Sequence, residues 1–320
     1  MSWSMDRIKG VSHFPVNALR NLWEAPLLVL GYHRIANFET DPFGITVTPE
    51  AFRRQLVWLA ENFDVIGAED IMKPRRRPAI MLTFDDGYSD NVTGALPVLH
   101  QMRLPALLFL ATGYVNRKRE FLWDALERIL SDGNAGRRAP LVYRGIRLLP
   151  EPGRNWMDTF DRLWDLLQAM SPSAQARALR EISGKAGVPA RPRPSHRIMS
   201  LGEVRSWAST PGMSVGGHTR SHFILAGRPP ASQRSEVRGS YLDLRRWGLE
   251  SPYFAYPNGQ YDQASILALK DSGYRFAFTT RSCAVRRSTS PWELPRMLVG
   301  SWTLGDFKGY VRRAFVRGWR

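Results

Sequence analysis

Short apolar runs alternate with amphipathic stretches along this chain, and several of the runs end abruptly in glycine, carboxylate or histidine. That alternation limits the possible folds more than any other feature. Leu27–Tyr32, Asp64–Ile66, Ala79–Phe84 and Ala106–Leu110 are β-rich runs, with further strands expected at Met213–Val215, Tyr253–Tyr256, Phe276–Thr279 and Met297–Val299. Between the first two, Phe52, Leu56, Leu59 and Phe63 recur at helical spacing, behind Thr48 as N-cap and Pro49 in the first turn. Asn91–Met102 reads as a second helix, and Ser200 with Glu203 forms a capping box that opens another. Strands alternating with helices in this way predict a parallel α/β architecture.

The rhythm breaks between residues 117 and 198. Phe121–Leu130, Trp156–Met170 and Ala174–Ile182 have helical apolar spacing, Val142–Leu149 suggests a small hairpin, and Gly187–Pro194 is a proline- and arginine-rich connector. The segment reads as a largely helical insertion, either shaping specificity near the rim of the sheet or serving as structural elaboration. The expected organisation is a lead-in over 1–26, a main domain over 27–302 carrying the insertion 117–198, and a basic aromatic tail over 303–320. No internal repeat is evident.

Composition narrows the partners. A single cysteine, Cys283, excludes an intrachain disulfide. Charged residues interrupt Met1–Gly31, no segment approaches the ~20 apolar residues that span a bilayer, and a cytoplasmic enzyme or one peripheral to the inner membrane face is expected. The net charge of +16, from 45 basic against 29 acidic residues, suits anionic partners or serves solubility. The tail, with Phe307, Tyr310, Phe315 and Trp319 among Lys308, Arg312, Arg313 and Arg317, resembles helices that lie on anionic membranes. No nucleic-acid motif accompanies the charge, so no specific nucleic acid is expected.

Three strand ends carry the chemistry. Ile80–Phe84 stops at Asp85-Asp86-Gly87, which reads either as an Asp-Gly turn or as two carboxylates that divide their labour at the rim of a sheet. Met213–Val215 leads through glycines into His218 and His222, four residues apart. On a helical turn that spacing brings both imidazoles to one face. Two histidines and a carboxylate with an open position for water make a catalytic zinc pattern; a pair of surface histidines is the plainer alternative. Pro252–Asp262 is an aromatic strand closing on a Pro-Asn-Gly turn.

Together the three resemble the polysaccharide deacetylase family, carbohydrate esterases with a NodB-type homology domain. Its T-F-D-D-G motif stands at Thr83–Gly87, its H-[ST]-x-x-H motif at His218–His222, and its third motif, in the form F-x-Y-P-x-G, at Phe254–Gly259. The resemblance implies a distorted (β/α) barrel and a hydrolase that removes N-acetyl groups from a polysaccharide or its lipid-linked precursor. It implies a divalent metal on Asp86, His218 and His222, with zinc favoured and cobalt, nickel or iron sharing the ligand set. Asp85 is then the general base, and the backbone N–H of Tyr256 an oxyanion donor. Two departures stand out: Ser251, not arginine, precedes the third motif, and no histidine follows His222. Arg296, opening the last strand, is the candidate to hold Asp85, and His33 the candidate acid. The element Tyr32-His33-Arg34 is similar to one in the exopolysaccharide or poly-N-acetylglucosamine deacetylase branch, where motif order is permuted. Two other readings are a catalytically inactive carbohydrate-binding protein and a deformylase of a lipid-linked amino sugar.

Overall fold

The computed structural model describes residues 25–132, 142–147 and 156–316. The expected lead-in, apart from its last two residues, and the last four residues of the tail lie outside them. In chain order the strands are β1 (Leu27–Tyr32), β2 (Arg34–Ile35), β3 (Thr46–Val47), β4 (Asp64–Val65), β5 (Ala79–Phe84), β6 (Ala106–Leu110), β7 (Val142–Tyr143), β8 (Ile146–Arg147), β9 (Met213–Gly217), β10 (Tyr253–Ala255), β11 (Phe276–Phe278) and β12 (Met297–Leu298). The α-helices are α1 (Pro49–Asn62), α2 (Leu96–Met102), α3 (Leu122–Ser131), α4 (Trp156–Gln168), α5 (Pro172–Ala186), α6 (Leu201–Ser209), α7 (Pro230–Arg246), α8 (Gln263–Ser272) and α9 (Leu304–Val316). The chain divides into two compact units, one of them Lys118–Arg197. That unit holds α3, α4, α5 and the antiparallel hairpin β7–β8.

The other unit is a parallel sheet in the order β11-β10-β9-β6-β5-β1-β12, with β4 paired to β5. Its two ends meet through one segment. Leu294 bonds to Ala277 and Thr279 beside β11, and Met297 pairs with Leu30 of β1. The result is the distorted (β/α) barrel that the family resemblance implies, on the parallel architecture that the alternation of elements predicts. Alternate side chains fill two layers, as period-2 strands require. Leu27, Val29, Ala79, Met81, Leu107, Phe109 and Phe278 pack inside the barrel. Leu28, Leu30, Ile80, Leu82, Leu108 and Leu110 pack outward with Phe52, Leu56 and Leu59 of α1.

Local signals explain most boundaries. Thr48 accepts from the Ala51 N–H to cap α1, and Ser200 and Glu203 complete the capping box of α6. The stretch expected as one helix over 91–102 instead opens with a π-helical turn, Asn91–Ala95, before α2.

Part of the expected basic aromatic tail forms α9, which docks on the barrel. In α9, Phe307 and Phe315 are buried, packing against Trp58 and stacking on Phe63 at centroid distances of 5.9 and 5.2 Å. Lys308 and Arg312 lie over the Trp58 ring. Two of the aromatic residues that suggested a membrane face, Phe307 and Phe315, thus pack in the core, while Tyr310 is exposed. No helix among the described residues is long and apolar enough to cross a membrane.

Candidate metal centre and active site

Strand parity delivers the site. The inward series Leu27, Val29 continues through Gly31 to His33, and Ala79, Met81 continues through Thr83 to Asp85. Val215 points outward, so His218 falls on the inward phase of β9. Tyr32 pairs with Phe84, which sets His33 beside Asp85; Phe254 pairs with Gly217, which sets His218 beside Ala255. Asp86 is out of phase. Its left-handed backbone, φ 73°, departs from the strand conformation and brings it back to the histidines.

Nε2 of His218 and Nε2 of His222 lie 3.6 and 3.3 Å from Oδ1 of Asp86. Ligands at metal bonds of about 2.0–2.2 Å on a tetrahedral centre stand about 3.3–3.6 Å apart. Each histidine keeps that spacing from Asp86, and the ligand atoms of all three lie within 4.8 Å of one another, so the group could hold one divalent cation. The Ala255 carbonyl accepts from Nδ1 of His218 at 2.7 Å. That bond fixes the tautomer and leaves Nε2 with its lone pair for a metal. Burial pushes His218 down to about 4 and His222 well below its ordinary value, so both imidazoles are neutral and competent as ligands at neutral pH.

The two histidines do not converge by a helical turn, as their spacing suggested. Residues 218–222 form a tight turn in which Thr219 and His222 are left-handed, φ 58° and 56°. Such non-glycine conformations cost of the order of 1–3 kcal/mol each, and side-chain and backbone bonds must hold them.

Asp85 is held from the opposite side of the ring. Arg296 is fully buried and grips the carboxylate with both guanidinium ends, Nη1 to Oδ1 at 2.7 Å and Nη2 to Oδ2 at 2.8 Å. Nη1 also donates to Thr83 Oγ1, and Nε donates to the Thr279 carbonyl. Burial alone would raise the Asp85 pKa. The Arg296 charge, with His218, the Arg296 hydrogen bonds and His33, outweighs it and holds the carboxyl well below the usual carboxylate range. His33 Nε2 stands 3.8 Å from Asp85 Oδ2. Burial, against the pull of Asp85, lowers the His33 pKa.

The structure therefore brings together Asp85, Asp86, His218, His222, Arg296 and His33. Tyr256 is the exception. Its N–H donates to the Phe278 carbonyl at 3.0 Å in the sheet, its ring packs outward with Phe254, and its hydroxyl donates to the Trp292 carbonyl. The sheet bond takes up the N–H that was expected to serve an oxyanion. Sequence reading missed the Ala255 carbonyl, because a backbone acceptor leaves no residue-type signal.

A second carboxylate–histidine cluster, Asp124, Glu127 and His196, lies in the Lys118–Arg197 unit. There Arg193 Nη2 reaches Glu127 Oε2 at 2.9 Å and Arg193 Nε reaches Glu120 Oε1 at 2.8 Å, so a guanidinium supplies positive charge within the cluster.

Residues 72–136 and 194–277 match the model of the family described as polysaccharide deacetylase. YxkH of Bacillus subtilis, named as a candidate polysaccharide deacetylase, is 19% identical over 296 residues, covering 90% of this chain and 76% of that one. The poly-β-1,6-N-acetyl-D-glucosamine N-deacetylase of Escherichia coli K12 is 30% identical over 87 residues, which are 25% of this chain and 13% of the enzyme. Among solved structures, IcaB from Ammonifex degensii aligns with a TM-score of 0.61 at 18% identity, over 92% of this chain and 98% of that one. The Streptococcus pyogenes deacetylase PplD aligns with a TM-score of 0.59 at 16% identity, over 91% and 99% of the two chains. At these identities the two structures establish a shared fold.

Proposed function

Because this chain belongs to the polysaccharide deacetylase family, we propose that it is a metal-dependent hydrolase of carbon–nitrogen bonds, removing N-acetyl groups from amino sugars of an exopolysaccharide or of its lipid-linked precursor. The observation that carries this reading is the approach of Asp86, His218 and His222 at tetrahedral ligand spacing beside the clamped Asp85. When bound, a divalent cation, with zinc preferred, lowers the pKa of its water toward ~7 and polarises the acetyl carbonyl.

The chain's own residues handle the protons. Asp85, outside the ligand set, accepts the proton of the attacking water. Its low pKa makes it a brief holder, and the proton passes to Nε2 of His33, 3.8 Å away. His33, neutral through burial, then gives that proton to the nitrogen as the C–N bond breaks. Water oxygen leaves in the acetyl product, the second water proton ends on the amine, and the products are acetate and the ammonium form of the sugar. Arg296 fixes both oxygens of Asp85 throughout, so the carboxylate does not swing onto the cation.

A binding protein has no use for an uncoordinated, arginine-clamped acid beside a ligand set, so the site favours catalysis. The test is acetate release from N-acetylglucosamine oligomers and from lipid-linked amino sugars, with mass spectrometry separating loss of acetyl from loss of formyl. Release that stops with a chelator and returns with zinc is expected. Failure to release either acyl group from any of these glycans by metal-loaded protein would defeat the reading.

A further inference from the structure

The turn that carries the two histidines is gripped from outside the site by one face of α7. Glu236, Gly239 and Asp243 stand at i, i+3 and i+7, so they share that face. Glu236 Oε2 accepts from the N–H groups of Arg220 and Ser221 at 3.0 and 2.9 Å, and its Oε1 accepts from Ser221 Oγ at 2.8 Å. One carboxylate thus binds two successive peptide N–H groups midway between His218 and His222. Concave pairs of adjacent N–H groups bind anions in this manner. Asp243 Oδ2 accepts from Arg220 Nε at 2.9 Å and from Thr112 Oγ1 at 3.0 Å.

Two glycines let the parts close. A Cβ on Gly239 would lie 2.2 Å from Arg220 Cδ, and a Cβ on Gly113 would lie 2.7 Å from the Arg220 carbonyl oxygen. In their absence, the Arg220 stem lies on the helix and its carbonyl accepts from the Gly113 N–H at 2.7 Å. The turn needs this grip, because Thr219 and His222 on either side of the gripped pair both hold left-handed backbone.

We propose that Glu236, supported by Asp243 and made accessible by Gly239, is the positioning residue of the metal centre: it holds residues 219–222 in the strained turn that aims His222 at Asp86 before any metal arrives. This rests on the metal-binding reading of Asp86, His218 and His222. Without the carboxylate, the turn relaxes, and metal binding must supply the ordering.

The test measures zinc affinity of the metal-free full chain by chelator competition, the cobalt absorption spectrum, and the melting temperature without metal. Glu236→Ala is expected to weaken zinc binding ~10–100-fold, as loss of groups that orient ligands does, and to lower the intensity of the tetrahedral cobalt bands. The metal-free melting temperature should change little. Glu236→Gln keeps one oxygen for the two N–H groups and should restore most of the affinity. Gly239→Ala, which keeps every charge, should weaken binding in the same direction and carries the test if Glu236→Ala does not fold. Zinc affinity and cobalt spectra equal to those of the unaltered chain in the alanine variants would overturn the proposal while leaving the metal centre standing. An unaltered chain that binds neither ion would overturn both.

Discussion

Among the described residues two largely buried groups bring carboxylates and histidines together, and they differ in where the nearest guanidinium sits. At the barrel's C-terminal rim, Asp86 meets His218 and His222, and the strong cation nearby, Arg296, is committed to Asp85 instead. In the Lys118–Arg197 unit, Asp124, Glu127 and His196 lie equally close together, but Arg193 bonds directly to Glu127 and to the neighbouring Glu120. The inventories are nearly the same, and the placement of the guanidinium differs. An arginine on the base leaves the ligands to recruit a metal; an arginine on the ligand makes a salt-bridged core. Ligand types and spacing are therefore insufficient to assign a site until the compensating charge is located.

The sharpest break of this comparison is metal content. Asp86→Ala or His218→Ala should abolish bound zinc and reduce acetate release to background, whereas Glu127→Gln should leave zinc content unchanged, both read by elemental analysis of purified protein. Loss of zinc in Glu127→Gln would reverse the contrast. Next in size, His33→Ala should lower turnover ~10²–10⁴-fold, the usual contribution of a proton-transferring group, with the metal retained. A drop in zinc content would move His33 to the ligand side of the comparison.

Removing each arginine compares the two clusters energetically. Arg296→Met leaves a buried carboxylate unpaired and should cost about 3–5 kcal/mol in denaturant unfolding. Arg193 is 25% exposed and so is partly compensated by water; its methionine variant should cost less, about 1–3 kcal/mol. Equal losses would erase the distinction. The smallest effect concerns pH. Asp85 has its folded pKa depressed, so its contribution to stability is complete above the ordinary carboxylate value of about 3.9 and disappears as pH falls through the lower folded value. In Arg296→Met, burial is opposed by His218 and His33 alone, and the acid limb of both stability and the pH–rate profile should move to higher pH.

Much of the barrel was legible because its strands are apolar runs with sharp ends, and period-2 phase alone carries His33, Asp85 and His218 into the mouth. The same phase, applied to β10, turns Tyr256 outward, a consequence hidden by a motif that includes it. What the sequence concealed was backbone handedness. Aspartate and histidine enter left-handed backbone more often than most residues, but only glycine announces it strongly, so the residue types at Asp86, Thr219 and His222 did not by themselves give positive φ. Glu236 was concealed for a different reason. An acid on a long helix rich in arginine reads as part of a solvated face, and its partners are backbone amides 15 and 16 residues earlier in the chain. The tail was ambiguous in composition, since aromatic and basic residues mixed along a helix describe a core-docked amphipath as well as a membrane-bound one.

The segment 291–298 closes the ring and also presents Arg296 to Asp85, 211 residues upstream. Ring closure and completion of the catalytic base are thus a single event. The candidate ligands Asp86, His218 and His222 all precede Arg296 in the chain, so the clamp on the proposed base is the last of these parts to be synthesised. Under the proposed roles, a chain lacking that seam keeps its candidate ligands and loses the clamp on its base.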